Sequence, residues 1–98
     1  MNQAQMMKLK KMQKEMMEAQ AKLESTVFKG TSGGGVVVAM VKGTHEVVSV
    51  EIDKEAIEDD LEMVQDMIVL AINDANKQIE AESQRLMGGF GSLGMGLF

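Results

Sequence analysis

Apolar positions along the chain change period twice, and the changes divide it into two helices around a run of strands. Over residues 3–24, Leu9, Met12, Met16, Ala19 and Leu23 recur at alternating spacings of three and four. That period keeps them on one stripe of a helix, within an arc of about 80°. The segment has no Gly or Pro, and its Gln, Lys, Glu, Met and Ala residues are good helix formers. Met6, Met7 and Met17 flank the stripe and can widen its contact. Residues 25–29, Ser-Thr-Val-Phe-Lys, are β-prone and end at Gly30. Residues 31–35, Thr-Ser-Gly-Gly-Gly, read as a turn. Residues 36–41 are continuously apolar, which predicts a strand covered on both faces. Residues 43–45 read as a hairpin connection. Residues 47–52 alternate, with Val48, Val50 and Ile52 on one face and Val47, Ser49 and Glu51 on the other.

Helical spacing returns over residues 60–87, after a single turn at residues 54–57. Leu61, Val64, Ile68, Ala71, Ile72, Ala75, Ile79 and Leu86 form a wide apolar face suited to covering a sheet. Asp59, with Glu62 three residues on, is the expected N-terminal cap, and the acids crowded there suit the helix dipole. From Gly88 the chain is glycine-rich, which predicts a flexible tail over residues 88–98. The expected fold class is α+β: one domain over residues 1–87, an α-β-β-β-α protomer with a three-stranded antiparallel sheet and two long helices.

A chain of 98 residues without cysteine has a small core and no disulfide or thiolate metal site to reinforce it. A second copy of the chain would supply further buried area, so a homodimer is expected. No apolar run approaches the ~18 residues of a membrane span. The lysine-interrupted N-terminus does not read as a signal peptide, and the reading is a cytoplasmic protein.

The net charge of −5 taken alone argues against a polyanionic partner, but it is unevenly spread. Residues 1–22 carry five lysines (Lys8, Lys10, Lys11, Lys14 and Lys22) against Glu15 and Glu18. Residues 45–98 carry twelve acids against Lys54, Lys77 and Arg85. Such asymmetry points to a localised polyanion-binding surface. The five lysines fall outside the apolar arc of the first helix, so the stripe can be buried while they stay in solvent. A helix of about twenty residues spans roughly 30 Å, enough to follow several phosphates of a duplex. The bland reading is a solvated exterior, with Lys11–Glu15 and Lys14–Glu18 as i,i+4 pairs.

Little else carries chemistry. His45 is the only histidine and stands in a predicted turn without a catalytic constellation. Asp59 and Asp60 lack the spacing and turn glycine of a calcium loop. Gly33-Gly34-Gly35 is not followed by Lys-Ser/Thr and leads into a strand, so it is no phosphate loop. With no Trp or Tyr, stacking on single strands or anchoring at a membrane surface is unsupported. The expectation is therefore no catalytic residues, no metal, no cofactor and no small-molecule substrate.

One set of segments goes further in combination. It comprises Met6-Met7-Lys8 through Met12-Gln13-Lys14-Glu15-Met16, then Gly30-Thr31-Ser32-Gly33-Gly34-Gly35 with Val36-Val37-Val38. Val48-Ser49-Val50-Glu51-Ile52-Asp53 follows, then Glu62-Met63-Val64-Gln65-Asp66-Met67-Ile68-Val69 leading to Ala71-Ile72-Asn73-Asp74-Ala75. Met87-Gly88 and the glycine-rich tail complete the set. In this order and spacing the chain resembles the YbaB/EbfC family over nearly its whole length. The resemblance implies an α-β-β-β-α protomer, a homodimer with protruding helices, and cytoplasmic, nucleoid-associated binding of double-stranded DNA without cofactor or catalysis. Family members often carry a Pro just before the second long helix, where this chain has Glu55-Ala56-Ile57-Glu58-Asp59-Asp60. The residues expected to meet DNA are the five lysines, inferred from their charge and placement. The competing reading is a protein–protein adaptor docking a recombination or replication partner. Truncation after Met87 is expected to leave the melting temperature nearly unchanged. A fall of more than about 5 °C, on the order of 1 kcal/mol at this size, would show that the tail packs on the body.

Overall fold

The computed structural model describes the backbone of residues 2–94 and the side chains of residues 2–88. Its elements run α1 (Gln3–Ser25), β1 (Val27–Ser32), β2 (Val37–Lys42), β3 (Val47–Ile52), α2 (Lys54–Asp59) and α3 (Leu61–Gly94). This is the expected α+β protomer with two long helices. The strands form one antiparallel sheet in the order β1-β2-β3. The predicted glycine turn is present, with Gly33, Gly34 and Gly35 all at positive φ, where L side chains are strained.

Helix α3 packs across β1 and β2, and the absence of side chains at the contact is what lets it. A methyl group added to Gly30 would stand 2.0 Å from the Ala71 carbonyl oxygen and 2.9 Å from the Ala75 Cβ. Val37, Ala39 and Val41 of β2 and Ala71, Ala75 and Ile79 of α3 form the buried core, with Phe28, Ile52, Met67, Ile68 and Ile72 at its margin. Three hydrogen bonds tie α3 to β1. Ser32 Oγ donates to the Met67 carbonyl at 2.6 Å, the Thr31 N–H donates to Asp74 Oδ2 at 3.0 Å, and Gln78 Nε2 donates to the Lys29 carbonyl at 2.7 Å.

Several local expectations change. Strand β1 begins and ends later than predicted, because α1 persists through Ser25 and Gly30 stays inside the strand under α3. Strand β2 is covered on one face only. Val37, Ala39 and Val41 are fully buried, whereas Val38 and Met40 on the open face are half-buried. In β3, Ser49 pairs with Met40 but Val47 pairs with Val41, so Val48 is the extra residue of a bulge. The bulge turns Val47, not Val48, to the helix side with Val50 and Ile52. The turn at residues 54–57 is a two-residue-longer helix, capped by Asp53 Oδ1 accepting from the Glu55 N–H at 3.0 Å. Because α2 runs through Asp59, the cap of α3 falls on Asp60, whose Oδ1 accepts from the Met63 N–H at 3.1 Å. Finally, α3 continues through Gly94, where glycines predicted irregular chain. Extending an existing helix adds one hydrogen bond per residue fixed, which can offset about 1 kcal/mol for each glycine. Residues 95–98 of the predicted tail lie outside the described residues.

Gly30→Ala is expected to destabilise the protein by about 1–3 kcal/mol through overpacking. At roughly 4–8 °C per kcal/mol for a domain of this size, thermal unfolding resolves that loss. A melting temperature within about 2 °C of the parent would show that α3 can retreat from the sheet at little cost.

Candidate nucleic-acid interface

Helix α1 is an arm fastened at its root. Its first turn is closed by a reciprocal cap: the Gln5 N–H donates to Asn2 Oδ1 at 2.9 Å, and Gln5 Oε1 accepts from the Asn2 N–H at 3.4 Å. Leu23 is its one buried residue. Of the apolar seam read from the sequence, Ala19 and Met12 are half-buried, while Met16 (39%) and Leu9 (45%) are open to solvent. Twenty-three residues at 1.5 Å each make the arm about 34 Å long, and the protomer is correspondingly elongated, 68 × 23 × 16 Å.

All five predicted lysines are on this arm and exposed. They spread over an arc of about 160° at 100° per residue, forming a broad basic face rather than one line. Lys8, Lys10, Lys11 and Lys14 lie together within about 9 Å of axis near the free half of the arm. Among the described residues, no carboxylate lies within salt-bridge distance of these four, so the sequence pairs Lys11–Glu15 and Lys14–Glu18 do not form. Lys22 is about 12 Å further on, at the root. It borders a groove of about 410 Å³ shared with Thr26, Phe28, Glu82, Arg85 and Leu86. There Arg85 Nε donates to Glu82 Oε2 at 3.0 Å, and its Nη2 donates to Glu82 Oε1. The Arg85 hydrogen bonds hold the Glu82 carboxyl below its ordinary value against a partial desolvation cost, and the charges of Arg85 and Lys22 add to the effect. The sequence reading left Arg85 out of the site. Its position three residues after Glu82 was legible, but its place beside Lys22 depends on how α1 meets α3.

Charge is separated along the molecule. The arm leaves from the end of the sheet where Val27 pairs with Lys42, and the opposite end is where Val37 pairs with Ser32 and Ile52. From that far end the chain enters α2 and the first turn of α3, with Asp53, Glu55, Glu58, Asp59, Asp60 and Glu62. Among the described residues no three His, Cys, Asp or Glu side chains are grouped to hold a metal, and no helix is long and apolar enough to cross a membrane.

The protomer is a small α+β unit with a basic helical arm at one end. The chain belongs to the YbaB/EbfC DNA-binding family, which matches residues 1–95. It is 50% identical over 84 residues to a nucleoid-associated protein of Lachnospira eligens, covering 81% of this chain and 72% of that one. It is 39% identical over 99 residues to a nucleoid-associated protein of Chloroflexus aurantiacus, covering 95% of this chain and 99% of that one. Its fold is that of an uncharacterized protein from Helicobacter pylori known from a crystal structure, with a TM-score of 0.72 at 30% identity over 92% of this chain and 97% of that one.

Proposed function

We propose that the protein acts as a cytoplasmic, nucleoid-associated homodimer that holds duplex DNA by its phosphates through the lysine face of α1. The observation that carries this reading is the cluster of Lys8, Lys10, Lys11 and Lys14, exposed on α1 and without carboxylate partners among the described residues. Lysine contacts to phosphate fix position without reading bases, so sequence preference is weak. Supplied twice by a two-fold axis, the arm offers two such contacts to one duplex.

The dimer is supported by apolar surface that one protomer leaves open. The first half of α3 carries apolar residues outside the stripe that faces the sheet: Val64 and Ala71 are buried, yet Leu61, Val69 and Leu70 are 57–59% exposed. Beside it, Val47 and Val50 on the helix side of β3 remain 43% and 36% exposed, because α3 covers β1 and β2 instead. A second copy presenting the same surface would cover both. Sedimentation equilibrium at 10 μM (roughly −7 kcal/mol on the affinity scale) is expected to show dimer, and Val69→Asp is expected to shift it to monomer. A parent that is wholly monomeric there would refute the dimer.

The DNA contact is tested by changing Lys8, Lys10, Lys11 and Lys14 together to Gln. Gel shifts on unrelated duplexes should weaken almost equally on each. The slope of log affinity against log salt should fall by about 0.9 per lost contact. Glu80→Gln with Glu82→Gln should bind at least as well as the parent. A folded quadruple variant with parental affinity and salt slope would remove α1 from the account.

A further inference from the structure

The turn between β2 and β3 touches the roots of both projecting helices. Gly43 donates its N–H to the Thr26 carbonyl at 3.0 Å, where α1 hands over to β1. Its Cα lies so near the last turn of α1 that an added Cβ would stand 1.9 Å from the Leu23 carbonyl oxygen. Two residues on, His45 Nδ1 is 2.8 Å from Asn76 Oδ1 on α3. His45 holds φ +72° to make this reach, a left-handed conformation that costs a non-glycine residue free energy. The turn is closed on itself as well: the His45 N–H donates to the Lys42 carbonyl at 2.8 Å, and the Lys42 N–H donates to the Glu46 carbonyl at 2.9 Å. A cleft of about 530 Å³ opens at this point, lined by Gln20 and Leu23 of α1, Gly43 and His45 of the turn, and Ile79 and Ser83 of α3.

We infer that residues 43–45 form a brace that sets the direction of the α1 arm relative to α3 and the sheet. Leu23 is the one fully buried residue of α1, so the turn beside it acts together with the contact of Ala19 and Lys22 against α3 in setting the angle of the helix. The arm multiplies small displacements at its root. Relieving the clash of a methyl group at Gly43 means moving Leu23 from 1.9 to at least 3.0 Å. Turning about Thr26, about 4.5 Å away, such a shift carries Gln5, about 31 Å from that pivot, by roughly 8 Å. Gly43 is thus a positioning residue for the proposed DNA contact. That consequence rests on the function proposed above, whereas the arm angle does not.

The chain contains no cysteine, so Gln5→Cys with Glu51→Cys gives two unique spin-label sites, on the arm and on the open face of the sheet. Labelled protein is mixed with excess unlabelled protein so that distances within one chain are read by pulsed electron resonance. In the Gly43→Ala background the Gln5–Glu51 distance is expected to shift by up to roughly 8 Å, with DNA binding weakened although no charge has changed. His45→Gly accepts the backbone angle but loses the bond to Asn76, and it should broaden the distance distribution. It decides the matter if Gly43→Ala does not fold. Parental distance and width in every folded variant would overturn the brace. Loss of DNA binding in the lysine variant at parental distance tests the DNA contact separately.

Discussion

The close approach of α3 to β1 governs how the rest of the molecule is arranged. Gly30 lacks the side chain that would meet Ala71 and Ala75, so helix and strand backbones come nearly into contact. Ser32, Thr31 and Lys29 then reach Met67, Asp74 and Gln78 along one edge of the helix. These bonds hold α3 over β1 and β2 and away from β3. Two consequences follow. The second half of α3 leaves the sheet beside the root of α1, which brings Ile79 near Leu23 and Gly43. The helix side of β3 is left uncovered, with Val47 and Val50 open to solvent.

A net charge of −5 and a basic arm are compatible because charges act over short distances in salt. The Debye length is about 8 Å under physiological conditions. A six-residue strand is roughly 20 Å long, so the acids of α2 and the start of α3 lie more than two such lengths from the root of the arm. Near the root, Glu82 is occupied by Arg85. Over residues 1–22 five lysines stand against Glu15 and Glu18, a local positive excess that the sum over the chain conceals.

Much of the fold was legible in the sequence. The seam Leu9–Met12–Met16–Ala19–Leu23 marked α1, and the period from Leu61 to Leu86 marked α3. The glycine run marked the turn before β2. The errors arose where one local signal had an equally good neighbour. Asp59 and Asp60 are both capping residues, and only the extent of α2 decides for Asp60. Alternation in β3 was read without a bulge, which depends on the partner strand and so reversed Val47 and Val48. The five candidate lysines were found from their charge and their place on the helix away from the apolar stripe. That Lys22 stands apart from the other four, beside Glu82 and Arg85, could not be, because it requires two helices distant in sequence to meet.

The sequence by itself determined the identity and order of the elements, the exposure of the lysines and the family, since these follow from local propensity, periodicity and motif order. The tertiary structure decided which strands α3 covers, where Val48 bulges, and how the turn at Gly43 and His45 meets both arms. The physical reason is that these are contacts between surfaces brought together from distant parts of the chain. Their fit depends on the absence of a single methyl group at Gly30 or Gly43, and only the assembled backbone reveals what that absence makes room for.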